Sequence, residues 1–141
     1  MAKKKSKDIV EELALLCVNA SLDKKAKNVS VIFIGDVSSV ADYFVVCTGT
    51  SDRHVMAVSE SVQERIKKAG YLPRGVEGKN YGNWILLDYG DVIVHIFLES
   101  VRQFYELERL FVKAPIMDVP DDIYEIAELK FKTVGAGVRN A

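Results

Sequence analysis

The chain has 141 residues, of which 49% are hydrophobic and 28% charged, and its formal net charge is -1. That length fits one domain with one sizeable core. The balanced charge excludes a general nucleic-acid or membrane-surface binder, which would carry a basic excess, and no apolar run reaches the roughly 18 residues of a membrane helix.

The N-terminus passes from the lysines Lys3, Lys4, Lys5 and Lys7 straight into Asp8 and Glu11. This is not the pattern of a signal peptide, so a cytoplasmic protein is expected. The lysine cluster reads as a solvated tail, with local RNA contact as the other reading. Ile9, Leu13, Leu16, Cys17 and Ala20 recur at helical spacing, which predicts an amphipathic helix from Ser6 to Lys25 with Ser6 as N-cap. Val29 to Ile34 and Tyr43 to Thr48 are apolar runs of strand type. Ser51 then caps a second helix whose apolar positions Val55, Val58, Val62, Ile66 and Ala69 step by three and four until Gly70.

Pro73, Gly75 and Gly78 mark the next stretch as a connection with an edge strand through Val76. A hairpin from Trp84 to Phe97 follows. After it, Val101, Phe104, Tyr105 and Phe111 predict a third helix ended by Pro115. Pro120 breaks the chain again, ahead of a short acidic helix over Asp121–Leu129 and a mobile, glycine-bearing tail. The order of elements predicts an α/β fold with a mixed β-sheet packed by helices and a crossover between the second strand and the hairpin. The domain is expected to occupy residues 1–115, with 116–141 as a C-terminal extension.

Within the hairpin, Gly90 and Asp91 suit a type II′ turn, since glycine accepts positive φ at its first central position. That turn sets Tyr89 opposite Val92, Leu87 opposite Val94 and Ile85 opposite Ile96, which makes one face core. The other face carries Trp84 beside Phe97, Leu86 beside His95, and Asp88 beside Ile93. Two readings stand. Either a helix covers this face and Asp88 bonds His95 diagonally, or part of it is exposed with Trp84 as an interface anchor and Glu77, Asp88 and Asp91 as a negative rim.

The alternative function, a nucleotide-binding or nucleotidyl-transferring enzyme on the same fold, finds little chemistry to work with. Gly49-Thr50-Ser51 opens a helix, where backbone N–H groups can receive an anion, but no pair of carboxylates follows on one strand to hold magnesium. His95 and Asp88 would orient an imidazole, yet no motif supplies a nucleophile. Cys17, Cys47, His54 and His95 lack ligand-pair spacing, and the two cysteines read as buried thiols. No metal, cofactor or catalytic residue is assigned.

Three stretches resemble the bacterial ribosomal silencing factor family, also called Iojap-like. They are Ala41 to His54, the Gly75-Val76-Glu77-Gly78 segment with Asn83 to Phe97, and Arg102 to Glu108. The resemblance runs from about Asp8 to Ala114. It implies a nucleotidyltransferase-like fold without that enzyme's metal carboxylates. It also implies a non-enzymatic translational repressor, which binds the large ribosomal subunit through its protein fourteen and keeps the small subunit from joining. A homodimer when free of the ribosome is implied as well. The family's hairpin tryptophan corresponds to Trp84, its turn carboxylates to Asp88 and Asp91, and its Tyr-x-Leu-Glu helix to Tyr105–Glu108. With Leu86, His95 and Glu77 these form the expected partner-binding set.

Overall fold

The computed structural model describes residues 7–79, 81–105 and 114–120. The elements in chain order are α1 (Lys7–Asp23), β1 (Lys27–Phe33), β2 (Tyr43–Gly49), α2 (Asp52–Lys68), β3 (Gly75–Glu77), β4 (Trp84–Asp88), β5 (Val92–Leu98), α3 (Glu99–Tyr105) and β6 (Ile116–Val119). The six strands form one sheet in the order β3-β4-β5-β2-β1-β6. Among the described strands only β2 and β5 pair in parallel, joined across α2 and the β3–β4 ribbon, so the sheet is mixed as expected. No helix among the described residues is long and apolar enough to cross a membrane.

One face of the sheet packs on α1 and α2. The stripe on α1 is Val10, Leu13, Ala14, Cys17 and Val18, all buried, while Ile9 is 43% exposed. The apolar stripe is therefore rotated slightly from the expected one. At its end α1 closes with Ala26 N–H on the Ser21 carbonyl and Lys25 N–H on that of Leu22. This is the Schellman pattern, and Lys25 takes the left-handed position at φ 60. On α2, Val55, Val58, Val62 and Ile66 are buried; the exposed Ala69 is the C-cap, and Gly70 follows at φ 100.

The second face has its own cluster of Ile32, Ile34, Ala41, Phe44, Val46, Ile93, Phe97, Ala114 and Ile116, with Trp84, Leu86 and Val101 against it. β6 was not foreseen from sequence. Residues 116–119, placed there at the head of an extension, pair antiparallel with β1 as the sixth strand of the sheet. Residues 106–113, over which the third helix is expected to continue, and the expected acidic helix and tail lie outside the described residues.

Arg102 ties α3 to the sheet. Its guanidinium donates to Thr48 Oγ1 at 2.9 Å, to Ser30 Oγ at 3.4 Å and to the carbonyl oxygen of Asn28. Asn28 stands at φ 49 where the β1–β2 register shifts, which turns its carbonyl out of the ladder. Ser30 in turn donates to Asp118 Oδ1 at 2.8 Å, so one arginine indirectly links α3, β1, β2 and β6.

Candidate functional site: the outer face of the hairpin

The expected register is present. Ile85 pairs with Ile96, Leu87 with Val94 and Asp88 with Ile93, and Tyr89 N–H donates to the Val92 carbonyl at 2.9 Å. Gly90 stands at φ 87 and Asp91 is not among the residues with positive φ, so the turn is not I′; Asp91 N–H donates to the Tyr89 carbonyl oxygen at 3.2 Å, a tighter three-residue closure than the expected II′ turn. Ile85, Leu87, Tyr89, Val92, Val94 and Ile96 are all buried in the cluster beneath α1 and α2.

On the outer face the two strands differ. On β5, Ile93, His95 and Phe97 are buried; on β4, Trp84, Leu86 and Asp88 are half-buried. The covered face of the first reading is thus met on β5, while β4 stays accessible in part. β5 lies next to β2 near the middle of the sheet, where Phe44 packs its edge against His95 at 4.6 Å, whereas β4 has only the three-residue β3 beyond it. Distance from the sheet's centre sets the exposure.

The diagonal bond between Asp88 and His95 is a correction. Asp88 Oδ1 accepts from Gly90 N–H at 2.8 Å, closing an Asx turn two residues on, and Oδ2 lies 3.8 Å from Arg74. A local acceptor at that spacing satisfies the carboxylate without crossing the ladder. The Arg74 side chain is 72% exposed, so this ion pair contributes little. The imidazole turns the other way: His95 Nδ1 accepts from Trp84 Nε1–H at 3.1 Å. The indole stacks on Phe97 with centroids 4.8 Å apart and planes at 29°. Period-two alternation located Phe97 and Phe44 only as apolar residues; which ring meets which depends on packing between β2 and β5.

His95 is 4% exposed, and burial lowers its pKa from the ordinary 6.5 to about 4. The ring is neutral near pH 7. With Nδ1 accepting, the proton sits on Nε2, which finds no partner among the described residues. A buried donor left so costs roughly 1–3 kcal/mol.

Of the remaining expected residues, Glu77 is exposed and pairs with Leu86, which puts it on the same face. Asp88 is four residues along β4 from Trp84, about 13 Å at strand rise, and Asp91 lies beyond it in the turn. Asp88 and Asp91 thus mark the far end of the face, while Glu77, beside Leu86, lies nearer the tryptophan. Tyr105 ends α3, and its side chain lies outside the described residues.

The start of α2, read as an anion cradle or a plain cap, spends its donors on its own chain. Thr50 N–H donates to His54 Nδ1 at 2.9 Å, His54 N–H to Ser51 Oγ at 3.0 Å, and Arg53 N–H to Asp52 Oδ1 at 2.7 Å. His54 Nε2 lies 2.7 Å from the Lys24 carbonyl oxygen, to which it donates, fixing the tautomer. Gly49 allows β2 to run this close, because a Cβ there would stand 2.7 Å from Val55 Cγ2. Cys17 and Cys47 are free and buried; burial raises the Cys17 thiol beyond the ordinary range and pushes Cys47 up to about 11. Neither is a thiolate near neutral pH. No group of three or more metal-ligating side chains occurs among the described residues.

By fold and by this face, the chain is a small mixed α/β domain whose unusual chemistry sits on a surface hairpin. Residues 6–136 match the family model described as "Ribosomal silencing factor during starvation". A protein of Halalkalibacterium halodurans named ribosomal silencing factor RsfS is 36% identical over 109 residues, 77% of this chain and 93% of that protein. A crystal structure from Chromobacterium violaceum is similar with a TM-score of 0.70 at 38% identity, covering 72% of this chain and 84% of that one. A mouse protein named mitochondrial assembly of ribosomal large subunit protein 1 is 30% identical over 115 residues, 79% of this chain and 49% of that protein. The chain belongs to the ribosomal silencing factor family.

Proposed function

We propose that this protein binds the large ribosomal subunit through its protein fourteen, excludes the small subunit by steric blockade and so represses translation from the cytoplasm. The observation that carries this reading is the half-buried Trp84, on the second strand from the edge of the sheet, beside the closed β5. Tryptophan buries a large, rigid surface at small entropic cost, the usual make-up of an interface hot spot. Leu86 extends the apolar patch, while Glu77, Asp88 and Asp91 supply negative charge along it. Ribosomal proteins are commonly basic, so these carboxylates speed encounter and fix orientation. The mouse relative's name supports the large subunit as the partner. Tyr105 and His95 complete the set, His95 from beneath. In the free state the protein is a homodimer.

The test is subunit joining in a sucrose gradient, with purified subunits and added protein. Separate subunits at saturating protein are the expected outcome. Unchanged joining refutes the blockade even where co-sedimentation with large subunits persists.

A further inference from the structure

His95 cannot be a contact residue, because at 4% exposure a partner does not reach it. What it does touch is the indole that the partner meets. Trp84 has one hydrogen-bonding group, Nε1–H, and it is directed inward onto His95 Nδ1 at 3.1 Å. The imidazole itself is held by Phe44 edge-on at 4.6 Å and lies nearly parallel to Phe97, with planes at 10° and centroids 6.1 Å apart. Phe97 also carries the indole from below at 4.8 Å. The anchor thus rests on a stack and on a directional bond, and the bond favours the χ2 rotamer that turns the N–H inward.

We propose that His95 is a positioning residue for Trp84: by accepting the indole N–H it fixes the ring before docking and leaves the partner only carbon surface to pack against. This rests on the reading of Trp84 as the docking anchor. The matching group on the partner is one that stacks, such as an aliphatic or guanidinium side chain, and not an acceptor for the indole. A fixed ring loses no rotamer freedom on binding, whereas an unfixed one must be ordered at that moment, weakening affinity by about three- to tenfold.

Because Trp84 is the chain's single tryptophan, its fluorescence reports this one site. In His95→Phe, which keeps an aromatic ring but removes the acceptor, Trp84 anisotropy in the free protein falls. Affinity for purified large subunits falls by about three- to tenfold. His95→Gln, with an amide oxygen able to accept, recovers part of both. In a Trp84→Phe background, with no N–H to hold, His95→Phe changes affinity by less than about twofold, since the two effects are coupled. Should His95→Phe fail to fold, the unsubstituted protein still decides: the indole N–H resonance is protected from solvent exchange.

Fast exchange of that proton, or unchanged anisotropy in folded His95→Phe, overturns the positioning role. Altered anisotropy with unaltered affinity overturns its part in docking. Wild-type binding by Trp84→Ala removes the anchor reading itself, and the free-protein measurements distinguish that failure from a failure of the His95 bond.

Discussion

The carbonyl oxygen of Asp91 accepts the backbone N–H of Tyr43 at 3.1 Å, and that of Asp42 at 2.9 Å. The tip of the hairpin is thereby fastened to the first residues of β2. Gly90 makes this geometry reachable at φ 87, with only Arg74 atoms near the place of a Cβ, the nearest at 3.4 Å. We expect Gly90→Ala to destabilise the domain by about 1–2 kcal/mol through backbone strain and not through a clash. Urea unfolding with an unchanged m-value checks this, and equal midpoints would contradict it.

Trp84→Ala is expected to weaken binding to large subunits by about 30- to 1000-fold, as for truncation of a true anchor. Because the indole is half-buried, the domain stays folded. Co-sedimentation alongside a circular dichroism melt separates the two effects. A folded variant that pellets like wild type defeats the assignment.

Stability should depend on pH through His95. The unfolded side chain titrates near 6.5 and the folded one at about 4, so between those values the unfolded chain binds more protons. The contribution is complete above about 6.5 and is lost as pH falls towards 4, by on the order of 3 kcal/mol. Carboxylates titrate in part of the same window. The comparison is therefore between wild type and His95→Gln, whose stability should fall less steeply over that range. Parallel curves would show that burial of this imidazole carries no such linkage.

Arg102→Met removes three donor contacts at once, to Thr48, Ser30 and the Asn28 carbonyl, and is expected to cost about 1–3 kcal/mol. Arg102→Lys should recover little, since a single ammonium cannot reproduce the planar fork. Thermal melts of the two variants decide between fork geometry and charge alone.

Lys25→Gly should raise stability by about 0.5–1 kcal/mol. Lys25 occupies a left-handed cap position at φ 60 that glycine adopts without steric strain. A lowered melting temperature would mean that the lysine side chain has a role outweighing its backbone strain.

The hairpin was legible in the sequence because alternation and a Gly-Asp turn are local signals, and together they fixed the pairing of Ile85 with Ile96 and Leu87 with Val94. Helix α2 was legible for the same reason, its cap and its stripe both being local. β6 was not. Ile116–Val119 is four residues between two prolines, and it is a strand only because β1 offers an edge more than eighty residues earlier in the chain. In the site, the chemistry of the face was readable but the bonds were not. Asp88 had two acceptable partners, and the nearer one, Gly90 N–H, won; that left His95 to the indole. An Asp placed two residues before a turn glycine is a local signal for the first of these, whereas no pattern in the sequence fixes a ring rotamer.

The loop between β3 and β4 is closed at its base and open at its tip. A Cβ on Gly78 would stand 1.9 Å from the Trp84 carbonyl oxygen, and one on Gly82 2.9 Å from Asp52 Cβ, while Tyr81 between them is 77% exposed. A dye coupled to a cysteine introduced at position 81 would therefore sit close in sequence to the native fluorophore without entering the packed base. With the two natural thiols fully buried, that cysteine would be the readily labelled one among the described residues. A label at that position would thus report from beside the single tryptophan while leaving the fold undisturbed.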